Sequence, residues 1–499
     1  MHPLLPKADT VRVFQRTGKA DSKALEPVDQ LLLLLPEKPA AAIWRSLLHG
    51  NKMQQLAKKR SPGSVPAFTD RLSNKRQTYV VAGKVGQDMT AFEQLTLGRK
   101  LVAAATAEKA GSLGILVAGF DKDKAEEIYN NILAAALAGA FSLPAFKSKK
   151  PPAKIRSIRL LGLDDKLDVD RTVAEAKGNN LARWLTTMPP NMLDAIGYAE
   201  LARDMAKELG WQYKRYATKE LESLGAGAFL AVAQGNENDS AGIIRLRYRP
   251  DKKDTSADLS LVGKGIIFDT GGTNLKPFTS MLDMHADMQG SAVALGTFLA
   301  ISELQLPIAV DCWLAITENR TGPDAYKSQD VVTAANGKTI QTIHTDAEGR
   351  MALADTLVLA SRDEPGVIID YATLTGSCIR AITTAYSGVF TNRPEWHPRL
   401  KRTGQDSGER VWPFPIGKEF LEMIESEVAD MMQCSSDGSG DHILAASFLA
   451  EFVENNTPWI HMDLSAGDNK DGLGHVPSKF TGFGVRYTMS LLLDEKILG

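Results

Sequence analysis

The sequence predicts an α/β protein: a small N-terminal α/β domain, then a larger domain with a mainly parallel sheet covered by helices. Three observations carry this expectation. The chain has 499 residues, more than one compact core supports, so two domains are expected. From Tyr79 onward, strand-like and helix-like patterns alternate, as they do in βαβ units. In the second half, apolar strand candidates are separated by helix-sized spans, which parallel pairing requires. Hydrophobic residues make up 43% and charged residues 24%, a globular balance that excludes collagen-like, disulfide-scaffold and wholly disordered chains.

Residues 1 to about 75 show only a short helical pattern at 40–48 and a basic, loop-like stretch, Lys58-Lys59-Arg60-Ser61-Pro62-Gly63. Strands are expected at 79–81, 114–118 and 155–161, with helices at 92–110 and 124–140 between them. Lys147-Ser148-Lys149-Lys150-Pro151-Pro152 reads as a solvated loop. The domain boundary is placed at 170, giving domains 1–170 and 171–499. A connector helix at 169–185 ends before Met188-Pro189-Pro190-Asn191, where two prolines stop it. A helix follows at 198–209. Strands are then expected at Gly227–Ala233, 243–248, 259–263, 308–316 and 367–371, with the site at the carboxyl ends of the parallel strands.

Lys plus Arg number 58 against 60 Asp plus Glu, a balance that gives no global reason to bind nucleic acid or an anionic membrane. Three widely spaced cysteines, Cys312, Cys378 and Cys434, fit a reducing compartment. The N-terminus shows no secretory h-region, and the longest aliphatic run, 31–35, is too short to span a bilayer. A soluble, cytoplasmic protein is expected.

Two segments carry more charge and glycine than a buried core needs. One runs from Val262-Gly263-Lys264-Gly265 through Asp269-Thr270-Gly271-Gly272 to Lys276-Pro277, and on to Asp287. The other is His344-Thr345-Asp346-Ala347-Glu348-Gly349-Arg350, ahead of an apolar helix at 351–359. Four acids converging, Asp269, Asp287, Asp346 and Glu348, would repel unless cations sat between them. Two divalent ions about 3.5–4 Å apart would solve this. The alternative for Thr345, Asp346 and Glu348 is helix capping. Lys264 is either an ion-pair partner or a neutral amine ligand. A P-loop is excluded, because position 258 is Asp and position 265 is Gly. The eight histidines lack H-E-x-x-H spacing, and no G-x-S-x-G elbow occurs. A metal site must therefore be carboxylate-dominated, suiting manganese, magnesium or zinc.

These segments resemble the leucyl aminopeptidases, the cytosolic di-metal aminopeptidases. The second is similar to the signature N-T-D-A-E-G-R in six of seven positions, and the steps from Lys264 to Asp269, Lys276 and Asp287 agree. Further similarity at 188–191, 231–235, 372–376 and 482–484 extends the resemblance over roughly 175–499. It implies Lys264, Asp269, Asp287 and Glu348 around one metal, and Asp269, Asp346 and Glu348 around the other. It implies Lys276 as the catalytic lysine and Arg350 as the holder of a bicarbonate acting as general base. Met281 and the Thr373, Leu374, Thr375, Gly376 stretch resemble the pocket for the first side chain of the substrate. The implied activity is removal of N-terminal residues from peptides with a free α-amine, by a water bridging two zinc or manganese ions, in a homohexamer. Three departures stand out: Thr270 for Ser, His344 for Asn, and the 322–330 loop. A di-metal phosphoesterase would share the carboxylates but want more cationic groups. DNA binding, a second role of some bacterial relatives, finds support only in Lys58-Lys59-Arg60 and the 147–154 stretch.

Overall fold

The aliphatic run at 31–35 becomes the centre of a sheet in the computed structural model, which describes residues 2–6, 11–61, 63–107, 111–148, 155–237, 239–251 and 256–498. The run lies in β2 (Gln30–Pro36), buried along its length between β5 (Ser112–Val117) and β4 (Tyr79–Val85). A strand covered on both faces has no polar side to display, so its sequence shows no alternation. With β1 (Arg12–Thr17), β3 (Phe68–Arg71) and β6 (Ser157–Leu163), these strands form a sheet of order β1-β6-β5-β2-β4-β3, parallel except for β3. Helices Ala91–Thr106 and Lys122–Ala140 cover one face through Leu101, Ile132 and Ala135. Trp44 and Met53 cover the other. The first helix starts on a capping box between Thr90 and Glu93, which satisfies two of its orphan N–H groups.

The second sheet has eight strands: β7 (Gln212–Ala217), β8 (Gly242–Tyr248), β9 (Leu259–Asp269), β10 (Val310–Asn319), β13 (Val367–Ala372), β14 (Ser387–Thr391), β15 (Val411–Pro413) and β17 (Trp459–Asp463). Their order is β15-β14-β17-β13-β9-β10-β8-β7. The central four are parallel, while β14, β8 and β7 add antiparallel pairs towards the edges. The expected fold class, two helix-covered and mostly parallel sheets, is thus observed. Helices Asp170–Thr187, Gln289–Glu303 and Val485–Leu493 cover one face, and Gly227–Ala233, Glu348–Arg362 and Asp441–Ala450 the other. Beside this sheet stands a small one of β11 (Val331–Thr333), β12 (Thr339–Gln341) and β16 (Met431–Met432).

The Asp170–Thr187 helix packs on both large units. Its Glu175 accepts from Arg486 at 2.9 Å, and Arg486 also donates to Asn131 at 2.9 Å. Where this helix crosses Gln289–Glu303, Gly178 and Gly296 meet backbone to backbone, and a Cβ on either would strike the other's carbonyl oxygen. Gly178→Ala is therefore expected to destabilise the fold by about 1–3 kcal/mol, read as a lowered thermal midpoint.

Two local expectations are corrected. Gly227–Ala233 is a helix, not a strand. The stretch is too short for its apolar run to distinguish the two, but its three alanines favour a helix. Asp355, from the Glu348–Arg362 helix, then accepts a bond from Phe229 N at 2.8 Å and ties down the first turn. Lys58 and Lys59 are not loop residues but close the Gly50–Lys59 helix, where cations complement the C-terminal dipole. The 92–110 helix is observed to Thr106, and 108–110 and 149–154 lie outside the described residues. Among the described residues no helix is long and apolar enough to cross a membrane.

Candidate metal centre and active site

β9 carries two of the predicted residues. Lys264 sits within the strand with only 3% of its side chain exposed, and Asp269 closes it. Beyond Asp269 the chain turns sharply through Gly271 and Gly272, at φ +86° and +65°, a region that suits glycine. The turn folds Asp269 Oδ1 back onto Gly271 N, a 2.8 Å bond, and returns the chain so that Lys276 Nζ lies 2.9 Å from Asp269 Oδ2. Asp287 follows the turn Met284–Ala286, and Thr373 Oγ1 donates to it at 2.6 Å. Asp346 and Glu348 arrive from the loop that opens the Glu348–Arg362 helix.

The predicted ligand residues converge. Asp269, Asp346 and Glu348 each offer an oxygen within 4.8 Å of the other two. Lys264 Nζ lies 2.8 Å from Asp287 Oδ2 and 3.0 Å from Glu348 Oε1, and it donates to Thr373 O at 2.9 Å. Lys276 also pairs with Asp346. Side-chain capping is not met, since the N-cap is Ala347 without a side-chain cap, although Glu348 does stand as the acid of the helix's first turn. Thr345 Oγ1 instead accepts from Asn274 N at 2.8 Å and donates to Gly271 O, so it clamps the two acidic segments together.

Burial dominates the electrostatics. Desolvation and the neighbouring carboxylates raise Asp269 well above the usual carboxylate range. Asp287 is pushed up to about 6 by burial, against the pull of Lys264. Glu348 is also desolvated, but Lys264 and Lys276 draw it below its ordinary value. Both lysines resist desolvation and are raised, because the carboxylates hold their protons. Three buried acids and the half-buried Asp346, with only two ammonium groups between them, make a strongly anionic hard-oxygen donor set. That set fits divalent cations.

Several residues here were not singled out by the sequence. Asn319 ends β10 directly beside Asp269 in the parallel register. Its Nδ2 donates to Asp269 at 2.8 Å and Glu348 at 3.3 Å. Tyr326 OH donates to Thr345 O at 2.8 Å, so the divergent 322–330 loop braces the 344–348 turn. Asp463 accepts from Leu374 N at 3.1 Å and Thr375 Oγ1 at 2.7 Å, shaping the stretch from Thr373 to Gly376. Parallel register would have found Asn319 once the strands were paired; the others show no local signal. His344 keeps a backbone-supporting role despite its departure, since its Nδ1 accepts from Asp346 N at 3.2 Å. Met281 is half-buried on the short Phe278–Met281 helix after Lys276-Pro277, outside this hydrogen-bonded network. Arg350 is 2% exposed, and its Nη2 donates to both carboxylate oxygens of Asp441 at 2.8 Å.

Comparison with known proteins agrees with this arrangement. The family model described as "Cytosol aminopeptidase family, catalytic domain" matches residues 180–489. A probable cytosol aminopeptidase of Chlorobaculum tepidum is 34% identical over 461 residues, covering 87% of this chain and 90% of that protein. A mutant leucine aminopeptidase from tomato superposes with a TM-score of 0.84 at 25% identity, covering 98% of both chains. The bottromycin maturation enzyme BotP, solved in complex with Mn, superposes with a TM-score of 0.82 at 27% identity, covering 95% of this chain and 100% of that one. The chain belongs to the cytosol aminopeptidase family and is a metallo-aminopeptidase.

Proposed function

We propose that the chain removes the N-terminal residue from peptides bearing a free α-amine, at a centre holding two divalent ions, zinc or manganese. The supporting observation is the convergence of Asp269, Asp346 and Glu348 within 4.8 Å, flanked by Lys264 and Asp287. Lys264, Asp269, Asp287 and Glu348 would hold one ion, and Asp269, Asp346 and Glu348 the other. When bound, such a pair supplies an activated water and Lewis acidity towards the scissile carbonyl.

The chain's own groups do the rest. Lys276, whose proton Asp269 and Asp346 hold firmly, is a charged donor for the oxyanion. Asn319 fixes the orientation of Asp269 and Glu348, as partners behind a ligand sphere do. The loop from Thr373 to Gly376, tied down by Asp463, and Met281 form the pocket for the first side chain. Residues 1–170 act as an oligomerisation or regulatory domain beside the catalytic 171–499, in a cytoplasmic homohexamer.

Activity is expected to vanish on exhaustive chelation and return with added manganese or zinc, with N-acetylated substrates left uncut. The check is hydrolysis of aminoacyl p-nitroanilides against acetylated controls. Full turnover after chelation, or equal cleavage of blocked substrates, refutes the reading.

A further inference from the structure

The resemblance implies an exchangeable bicarbonate on Arg350, but among the described residues both terminal nitrogens of this guanidinium already have protein partners, which leaves only the buried Nε without one. Its Nη2 bonds both oxygens of Asp441 at 2.8 Å, and its Nη1 donates to Gln433 O at 3.1 Å. We propose that Asp441 is the resident anion of the Arg350 site, so that this aminopeptidase works without an exchangeable one. The inference rests on the peptidase reading above and adds the source of the anion.

The Asp441 carboxylate brings the negative charge that bicarbonate would, with both oxygens converging on Nη2, and this charge-assisted contact together with the Nη1 bond to Gln433 O holds the guanidinium in place. Asp441 is delivered by local structure. It is the first residue of the Asp441–Ala450 helix, where negative charge is favoured. Gly440 before it takes φ +63°, and Gly438 φ +68°, so the chain turns tightly enough to aim the side chain back at Arg350. Asp441 is not entombed, having 23% of its side chain exposed against 2% for Arg350. The pair also touches both halves of the site. Gln433, whose carbonyl shares Arg350, receives Ile343 N and His344 N at 3.2 Å each, and donates to Ala347 O at 3.0 Å. It thus holds the turn bearing Asp346 and Glu348. On the other side, His442 Nδ1 lies 2.8 Å from Ser377 Oγ, just after the Thr373 to Gly376 stretch. The carboxylate therefore stands where the ligand-bearing helix and the pocket loop meet, as a positioning residue that acts through Arg350.

The test uses the full-length, metal-loaded protein in carbon-dioxide-free buffer, with and without added bicarbonate. The wild type is expected to show the same kcat and KM in both. Asp441→Gly, which leaves a buried guanidinium unpaired, is expected to lose about 10- to 100-fold in kcat, to regain activity with bicarbonate or formate, and to broaden the ¹³C signal of labelled bicarbonate. Asp441→Asn keeps the shape without the charge, and is expected to lose activity without being rescued. Stimulation of the wild type by bicarbonate overturns the proposal, as does an Asp441→Gly variant that is unimpaired or beyond rescue. If Asp441→Gly fails to fold, the wild-type comparison and Asp441→Asn decide. A wild type inactive on every free-amine peptide refutes the peptidase reading instead.

Discussion

Glu348→Gln is expected to strip the centre of metal and abolish turnover, the largest effect of any single substitution considered. Glu348 is 1% exposed, pairs with Lys264 at 3.0 Å and lies within 4.8 Å of Asp269 and Asp346. The neutral amide removes a charge that two cations would share. It also leaves Lys264 with Asp287 as its one remaining ion pair among the described residues. Asp346→Asn should follow the same course more mildly, since Asp346 is the more exposed of the two and, on the proposed assignment, would serve one metal only. Elemental analysis beside a melting curve checks both. Were these residues mere helix formers, the variants would keep their metal and rate while losing about 1 kcal/mol of stability.

Lys276→Ala should instead keep both metals and lose about 10²–10³ in kcat, the scale of removing one oxyanion donor. Its side chain is more exposed than that of Lys264, 13% against 3%, and it pairs with Asp269 and Asp346 rather than with Asp287. Lys264→Ala is the contrasting case. Lys264 contacts Asp287, Glu348 and Thr373 O, and its loss should weaken one metal site. Metal stoichiometry and kcat measured on the same preparations separate the two. Loss of metal from Lys276→Ala but not from Lys264→Ala would reverse the assignment.

The charged segments were legible because their function is written locally. A lysine inside an apolar strand, acids beside glycines, and Asp346 and Glu348 at a helix start are departures from what a buried core requires. They span 23 positions in the first segment, Lys264 to Asp287, and four in the second, Asp346 to Arg350, and short spacing survives folding. Strand and helix alternation likewise exposed the layered sheets. It failed at Gly227–Ala233, where seven apolar or small residues suit either element and a carboxylate 126 positions from Phe229 helps hold the helix. It also missed β2, whose burial on both faces erased the alternation that marks a strand.

What the sequence determined by itself was the fold class, set by the alternation of strand and helix patterns, and two acidic, lysine-bearing segments, whose ligand and catalytic roles came only from their resemblance to the aminopeptidase motifs. Only the tertiary structure decided what those groups face. Asn319 reaches Asp269 because β10 runs parallel to β9 in one register. Arg350 meets Asp441, 91 residues further along the chain, because a glycine turn starts a helix across from it. An arginine in a motif announces a site for an anion, but its range along the chain is a turn or two. Whether that anion comes from solvent or from the protein depends on which distant backbone is packed against the guanidinium, and burial, not spacing, selects it.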